Sequence, residues 1–154
     1  MTLDNLVKIH QLAPHTPRPA EVQRLLAAAS RNLADATSHG ISDETRFDCA
    51  YKAIMQCALV ALHANGYRPA TSTPGHHQTM IQALPLTLGA TREEWVVLDA
   101  LRKKRNINDY SGDLLEPEAV TECLARAEVL LAQVRHWLAQ RRPDLLRHDD
   151  SEPR

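Results

Sequence analysis

SDETRFDCAYKAIMQCALVALHANG, residues 42–66, is the stretch that decides the fold. Ser42 is a good helix N-cap, and Asp43 and Glu44 follow it where the helix dipole favours acids. Phe47, Ala50, Tyr51, Ile54, Ala58, Ala61 and Leu62 then recur at threes and fours, which places them on one helical face. Asn65-Gly66 ends the run. No other segment is as apolar, so this helix is expected to be the central one.

Working outward from it, residues 19–36 carry Val22, Leu25, Leu26, Ala29, Leu33 and Ala36 at helical spacing. Pro19 suits the first turn, and His39-Gly40 is the expected stop, with Gly40 in a left-handed cap. Upstream, residues 2–12 form a short helix that Pro14, Pro17 and Pro19 break. Downstream, residues 67–75 are a loop rich in Pro, Thr and Ser, followed by a short helix from His76 to Leu84. Thr91-Arg92-Glu93-Glu94 fits a capping box. It opens a helix that turns Trp95, Leu98 and Leu101 inward and ends at Ser111-Gly112-Asp113. The last helix runs from Pro117 to Arg142 with Val120, Leu124, Ala127, Leu131, Val134 and Leu138 in three-four alternation. No strand is predicted. The expected architecture is all-α, an up-and-down antiparallel bundle of four to six helices over residues 1–142, with a disordered tail at 143–154.

Bulk properties agree. A chain of 154 residues is long enough to bury a core without staples. Phe, Tyr and Trp make up only 4%, too few for a typical sheet protein. The net charge of −1 excludes a globally basic nucleic-acid binder, so any polyanion must be met by a local patch. Cys49, Cys57 and Cys123 lack CxxC spacing and read as reduced thiols. No long apolar run and no leader pattern is present, so a cytoplasmic protein without a membrane span is expected.

The local patch is Arg102-Lys103-Lys104-Arg105-Asn106-Ile107-Asn108-Asp109-Tyr110. Arg102, Arg105, Asn106 and Asp109 are separated by threes and fours and share a face bordering Leu98 and Leu101. The bland reading is a solvated basic helix end with Arg105–Asp109 as a surface ion pair. It accounts for Lys103 and Lys104, but less well for Arg105-Asn106 beside Asp109-Tyr110. Other candidates are weaker. Adjacent His76 and His77 point in different directions on a helix and have no nearby ligand to complete a tetrahedral set, so no metal and no cofactor is expected. His63 reads as an interior histidine, with a base facing a cleft as the rarer alternative.

Phe47-x-x-Ala50-Tyr51-Lys52-Ala53, His63-Ala64-Asn65-Gly66-Tyr67-Arg68-Pro69, His76, and Leu98-x-x-Leu101-Arg102-x-x-Arg105-Asn106-x-x-Asp109-Tyr110, followed by a long Ala-rich helix, together resemble the HEPN superfamily (higher eukaryotes and prokaryotes nucleotide-binding) over residues 20–142. The resemblance implies an all-α bundle, commonly a homodimer. In active members an Arg-polar-x-x-x-His motif from two copies forms a metal-independent ribonuclease site. Arg105 and Asn106 match the first two motif positions, and Tyr110 stands where the histidine should be. An unperturbed Tyr titrates near pH 10, against about 6.5 for His, which makes Tyr110 a poor base. The tyrosine form resembles the branch that binds nucleotides or partner proteins. Some members pair with a small nucleotidyltransferase or antitoxin in toxin–antitoxin or stress and defence systems.

Three readings follow. In the first, Arg102, Arg105, Asn106, Asp109 and Tyr110 bind a nucleotide or RNA without cleaving it. In the second, Arg105 stabilises the phosphorane of a ribonuclease while Tyr110 or His63 moves protons. In the third, the basic turn docks an acidic protein partner or the chain's own Asp149-Asp150-Ser151-Glu152 tail.

Overall fold

The central helix forms where it was expected. In the computed structural model, which describes residues 1–112 and 115–147 and all their side chains except that of Tyr110, α3 spans Asp43–Ala64. The Ser42 hydroxyl accepts from the Thr45 amide at 3.2 Å. At the other end Gly66 takes a φ of 94°, which an L side chain adopts only with strain. Phe47, Tyr51, Ile54, Val60 and Leu62 are all but fully buried on α3. Each such side chain stabilises the fold by about 1.5–3 kcal/mol relative to exposure.

Around α3 the chain places α1 (Leu3–Lys8), α2 (Pro19–Ala36), α4 (His76–Gln82), α5 (Leu84–Thr87), α6 (Arg92–Ser111) and α7 (Pro117–Arg141). α2 packs along one side of α3 and α7 along another, while α4 sits between α3 and α6. The all-α bundle is therefore as expected. Counted separately, the described residues hold seven helices, because the segment after His76 is interrupted at Ala83 and its second part is a single turn starting at Leu84-Pro85. Half of the expected Thr91 capping box is made: the Thr91 hydroxyl accepts from the Glu94 amide at 3.2 Å, while the Glu94 carboxylate takes the Thr91 hydroxyl, at 3.1 Å, in place of the Thr91 amide. Gly112, at φ 70°, closes α6. The expected stop residue Asp113 lies outside the described residues.

Three expectations change. Pro14 was read as a helix breaker and Pro69 as part of a loop, with no strand at either. They instead end a two-stranded antiparallel ribbon, β1 (Leu12–Pro14) with β2 (Tyr67–Pro69), in the register Leu12↔Pro69, Ala13↔Arg68 and Pro14↔Tyr67. Proline is tolerated there because a two-stranded ribbon has only edge strands. Second, α2 ends at Ala36 with Thr37 as its cap, and Gly40 is not left-handed. The Thr37 hydroxyl donates to the Ala34 carbonyl at 2.6 Å and ends the helix before the glycine is reached. Third, the domain does not end at residue 142. Pro143–Leu146 form a 3-10 turn that buries Leu145 to 1% exposure, and Gln23 donates to the Leu145 and Arg147 carbonyls. The remainder of the expected tail, including Asp149, Asp150, Ser151 and Glu152, lies outside the described residues.

Among the described residues, no helix is long and apolar enough to cross a membrane. Cys57 and Cys123 are buried free thiols, and burial pushes both up to about 12, so they behave as inert core residues.

Candidate functional site

α6 carries its basic run across the end of α4 and the N-terminal half of α3. Leu98 and Leu101 are buried, which fixes the rotation of α6 and sets Arg102 and Arg105 at the edge of the core. Arg102 Nε donates to Asp99 Oδ1 at 2.8 Å in a pair that is mostly buried, and Lys103 reaches the other Asp99 oxygen at 3.5 Å. Lys104, Asn106 and Asp109 are exposed. The side chain of Tyr110 lies outside the described residues.

Arg105 does not take Asp109, its expected partner at i,i+4, as its ion pair. Its Nε faces Asp48 Oδ1 on α3 at 3.6 Å, an ion-pair distance just beyond a hydrogen bond, so this buried Nε has no hydrogen-bond partner. Its guanidinium lies over the ring of Tyr51, 4.9 Å from the centroid. That stack is worth about 0.5–2 kcal/mol depending on hydration. The arginine is thus held from below by a buried aromatic ring while about a third of its side chain stays open, at 32% exposure. The carboxyl of Asp48 is held above its ordinary range by loss of hydration, against the pull of Arg105 and with a push from Asp109.

Tyr51 extends the cluster to α4. Its hydroxyl and His77 Nδ1 are 2.9 Å apart, with the two rings tilted at 50°. Burial pushes the Tyr51 phenol up to about 12, with Arg105 and Arg102 working against it, so it stays protonated at neutral pH. His77 is held below its ordinary value by desolvation, then by Arg105, His76 and Arg102, so it is a neutral imidazole there. A neutral histidine, a phenol and an arginine therefore meet at one edge of the bundle.

Reading the sequence alone picked out Arg102 and Arg105 but missed Asp48, Tyr51 and His77. Asp48 and Tyr51 lie on a helix whose texture reads as core, and His77 reads as a polar helix start. One signal was available: a phenol at Tyr51 inside the most apolar helix needs a hydrogen-bond partner.

A second polar cluster sits at the far end of α3. His63, in the last turn, is 7% exposed. Its Nδ1 is 2.8 Å from Glu21 Oε1 on the first turn of α2, yet the approach lacks hydrogen-bond geometry. His15, just past β1, brings Nε2 to 2.7 Å from the same oxygen. The two imidazoles stack with centroids 4.1 Å apart. Burial holds His63 below its ordinary value, and His15 adds to this against the attraction of Glu21. Burial would raise Glu21, but the hydrogen bond with His15 and the charges of His63, His15 and Arg18 outweigh it and hold the carboxyl low. The interior position expected for His63 is correct, and its two partners were not foreseen.

No protein-family model matches the chain, and no curated protein matches it, so the geometry of these two clusters carries the functional reading.

Proposed function

We propose that the chain is a nucleotide- or RNA-binding protein of the HEPN type, with its ligand phosphate held at the Arg105 edge of the bundle. The observation that carries this reading is the Arg105 guanidinium stacked on buried Tyr51 beside His77. A planar guanidinium held on an aromatic platform loses less freedom when it grips a phosphate in a bidentate fork. Arg102 adds positive potential from the preceding turn, and Asn106 and Asp109 offer hydrogen bonds along the exposed side of α6. Homodimerisation, which the HEPN resemblance implies, belongs to the same reading, and light scattering coupled to gel filtration tests it.

Fluorescence anisotropy with a labelled single-stranded RNA tests the binding. The native protein binds at low salt. Arg105→Ala weakens binding about tenfold or more and makes the salt dependence shallower by the share of one phosphate contact. No binding by the native protein at low salt defeats the reading.

The position of His77 favours a second reading, a metal-independent ribonuclease. A neutral imidazole next to the arginine is a suitable proton acceptor at neutral pH. In this version His77 takes the proton of the attacking 2′-hydroxyl, the 2′-oxygen bonds to phosphorus as the bond to the 5′-oxygen breaks, Arg105 stabilises the charge on the phosphorane, and the leaving 5′-oxygen takes a proton from water. Cyclic-phosphate ends on RNA incubated with the native protein, absent with both Arg105→Ala and His77→Ala, promote this reading over simple binding. An interaction module with no nucleic-acid ligand remains as the outcome if neither binding nor cleavage is seen.

A further inference from the structure

The His15–Glu21–His63 cluster plays no part in that reading, and its chemistry points elsewhere. Three donor atoms of types that bind borderline transition ions converge: two imidazole nitrogens and a carboxylate oxygen, all within 4.8 Å of one another. His63 Nδ1 is buried, lacks a hydrogen bond and lies 2.8 Å from the carboxylate oxygen that His15 also contacts. A buried ring nitrogen without a hydrogen-bond partner is a cost that a structure removes by giving it something to bind. We propose that His15 Nε2, His63 Nδ1 and Glu21 Oε1 form a binding site for a divalent transition ion of the Zn²⁺ class.

The frame is rigid at each ligand. His15 is fixed by its amide, which donates to the Gly66 carbonyl at 2.9 Å, and by the β1–β2 ribbon that precedes it. Glu21 stands in the first turn of α2, two residues after Pro19. His63 stands in the last turn of α3, where the helix dipole favours a cation. Two histidines and one glutamate are an established zinc ligand set, with a fourth position open to water or a ligand. The partial exposure of His15 and Glu21, 20% and 27% for the side chains, supplies the open side.

The distances set what must move. Donors about 2.0–2.2 Å from a tetrahedral ion lie roughly 3.4 Å from each other. The contacts of 2.7 and 2.8 Å to the carboxylate oxygen are shorter, so that oxygen must back away by about 0.6 Å, while the two ring nitrogens, within 4.8 Å of each other, must close to the same spacing. Arg18 and Arg68 lie close enough to act on the cluster and oppose a dication. The carboxylate and the carbonyls ending α3 act the other way. Arg142 already donates to one of those carbonyls, that of Ala64, at 2.8 Å, which shows that this helix end accepts a cation.

The test uses the full chain stripped with a chelator and titrated with Co²⁺ or Zn²⁺ alone. One equivalent of Co²⁺ is expected to bind with the intense visible bands of a four-coordinate site, and Zn²⁺ is expected to displace it. His15→Ala and, separately, Glu21→Gln are expected to lower the affinity by more than about 100-fold, since loss even of an outer-shell partner costs about 10–100-fold. His39→Ala and His136→Ala, at exposed positions, are expected to leave it unchanged. Circular dichroism of each variant separates lost binding from lost folding. If His15→Ala unfolds, Glu21→Gln, which keeps the shape of the side chain, decides. No stoichiometric binding by the native chain, or binding that survives in the folded His15 and Glu21 variants, overturns the proposal.

Discussion

The two ends of α3 carry polar clusters of opposite design. Near its N-terminal half, Asp48 and Tyr51 meet Arg105 and His77 at an edge that stays partly open. At its last turn, buried His63 meets Glu21 and His15 in a more enclosed setting. Tyr51 and His63 are twelve positions apart. That is about 18 Å along a helix, so the clusters are separate sites on one rigid rod. The open one has charge in excess of what it satisfies internally and suits a ligand that arrives and leaves. The closed one has donors converging on one point and suits an occupant that stays.

The largest expected effect falls on the aromatic platform of the open end. Tyr51 is 2% exposed, and its ring also packs parallel to Phe47 with centroids 6.4 Å apart. Tyr51→Ala therefore opens a core cavity and is expected to cost about 3–5 kcal/mol, read by urea denaturation. It also releases Arg105, so RNA binding is expected to fall further than global stability explains. Tyr51→Phe keeps the ring and loses only the contact with His77, for an expected cost of about 0.5–1.5 kcal/mol. Retention of RNA binding in Tyr51→Phe would show that the face of the ring, not the hydroxyl, positions the arginine.

The closed end answers the same kind of change differently. Glu21→Ala in the metal-free chain leaves His15 without its hydrogen-bond partner and His63 without the carboxylate beside it. Because His63 is buried, the expected loss is about 1–3 kcal/mol, measured in the same denaturation experiment. A loss as small as that of an exposed ion pair would mean that water enters the cluster, and the contrast between the two ends would weaken.

These differences explain what was legible beforehand. The helices were legible because each buries a continuous stripe: α3 through Phe47, Tyr51 and Ile54, α7 through Val120, Ala127, Leu131, Val134 and Leu138. Arg102 and Arg105 were legible because a helix puts neighbours three apart on one face. Tyr51 and His77 lie 26 positions apart, and His15 and His63 lie 48 apart, so only the packing of α4 on α3 and the β1–β2 pairing bring them together. A ribbon of three residues a side, with proline at the end of each strand, gives almost no periodic signal of its own.

Acidification separates binding from cleavage at the open end. His77 is held below its ordinary value in the folded chain, so the folded state carries fewer protons there than the unfolded one as pH falls below about 6.5. Its contribution to stability is present above that pH and is lost as pH falls through the folded value. The new positive charge meanwhile adds to Arg102 and Arg105. RNA affinity is therefore expected to rise in acid, and His77→Ala is expected to flatten that rise in an anisotropy titration. Cleavage, which needs the neutral imidazole, is expected to fall over the same range.

The smallest effect concerns Asp48, which competes with an incoming phosphate for Arg105. Its side chain is 52% exposed and its contact with the guanidinium is long, so Asp48→Asn is expected to change stability by less than about 1 kcal/mol. Removing a negative charge beside Arg105 is expected to strengthen RNA binding a few-fold, with the gain shrinking as salt screens the patch. Weaker binding in Asp48→Asn would mean that the carboxylate holds the guanidinium in its working orientation. Arg105 would then resemble the closed end of α3, where an acid and its partners are built as one unit.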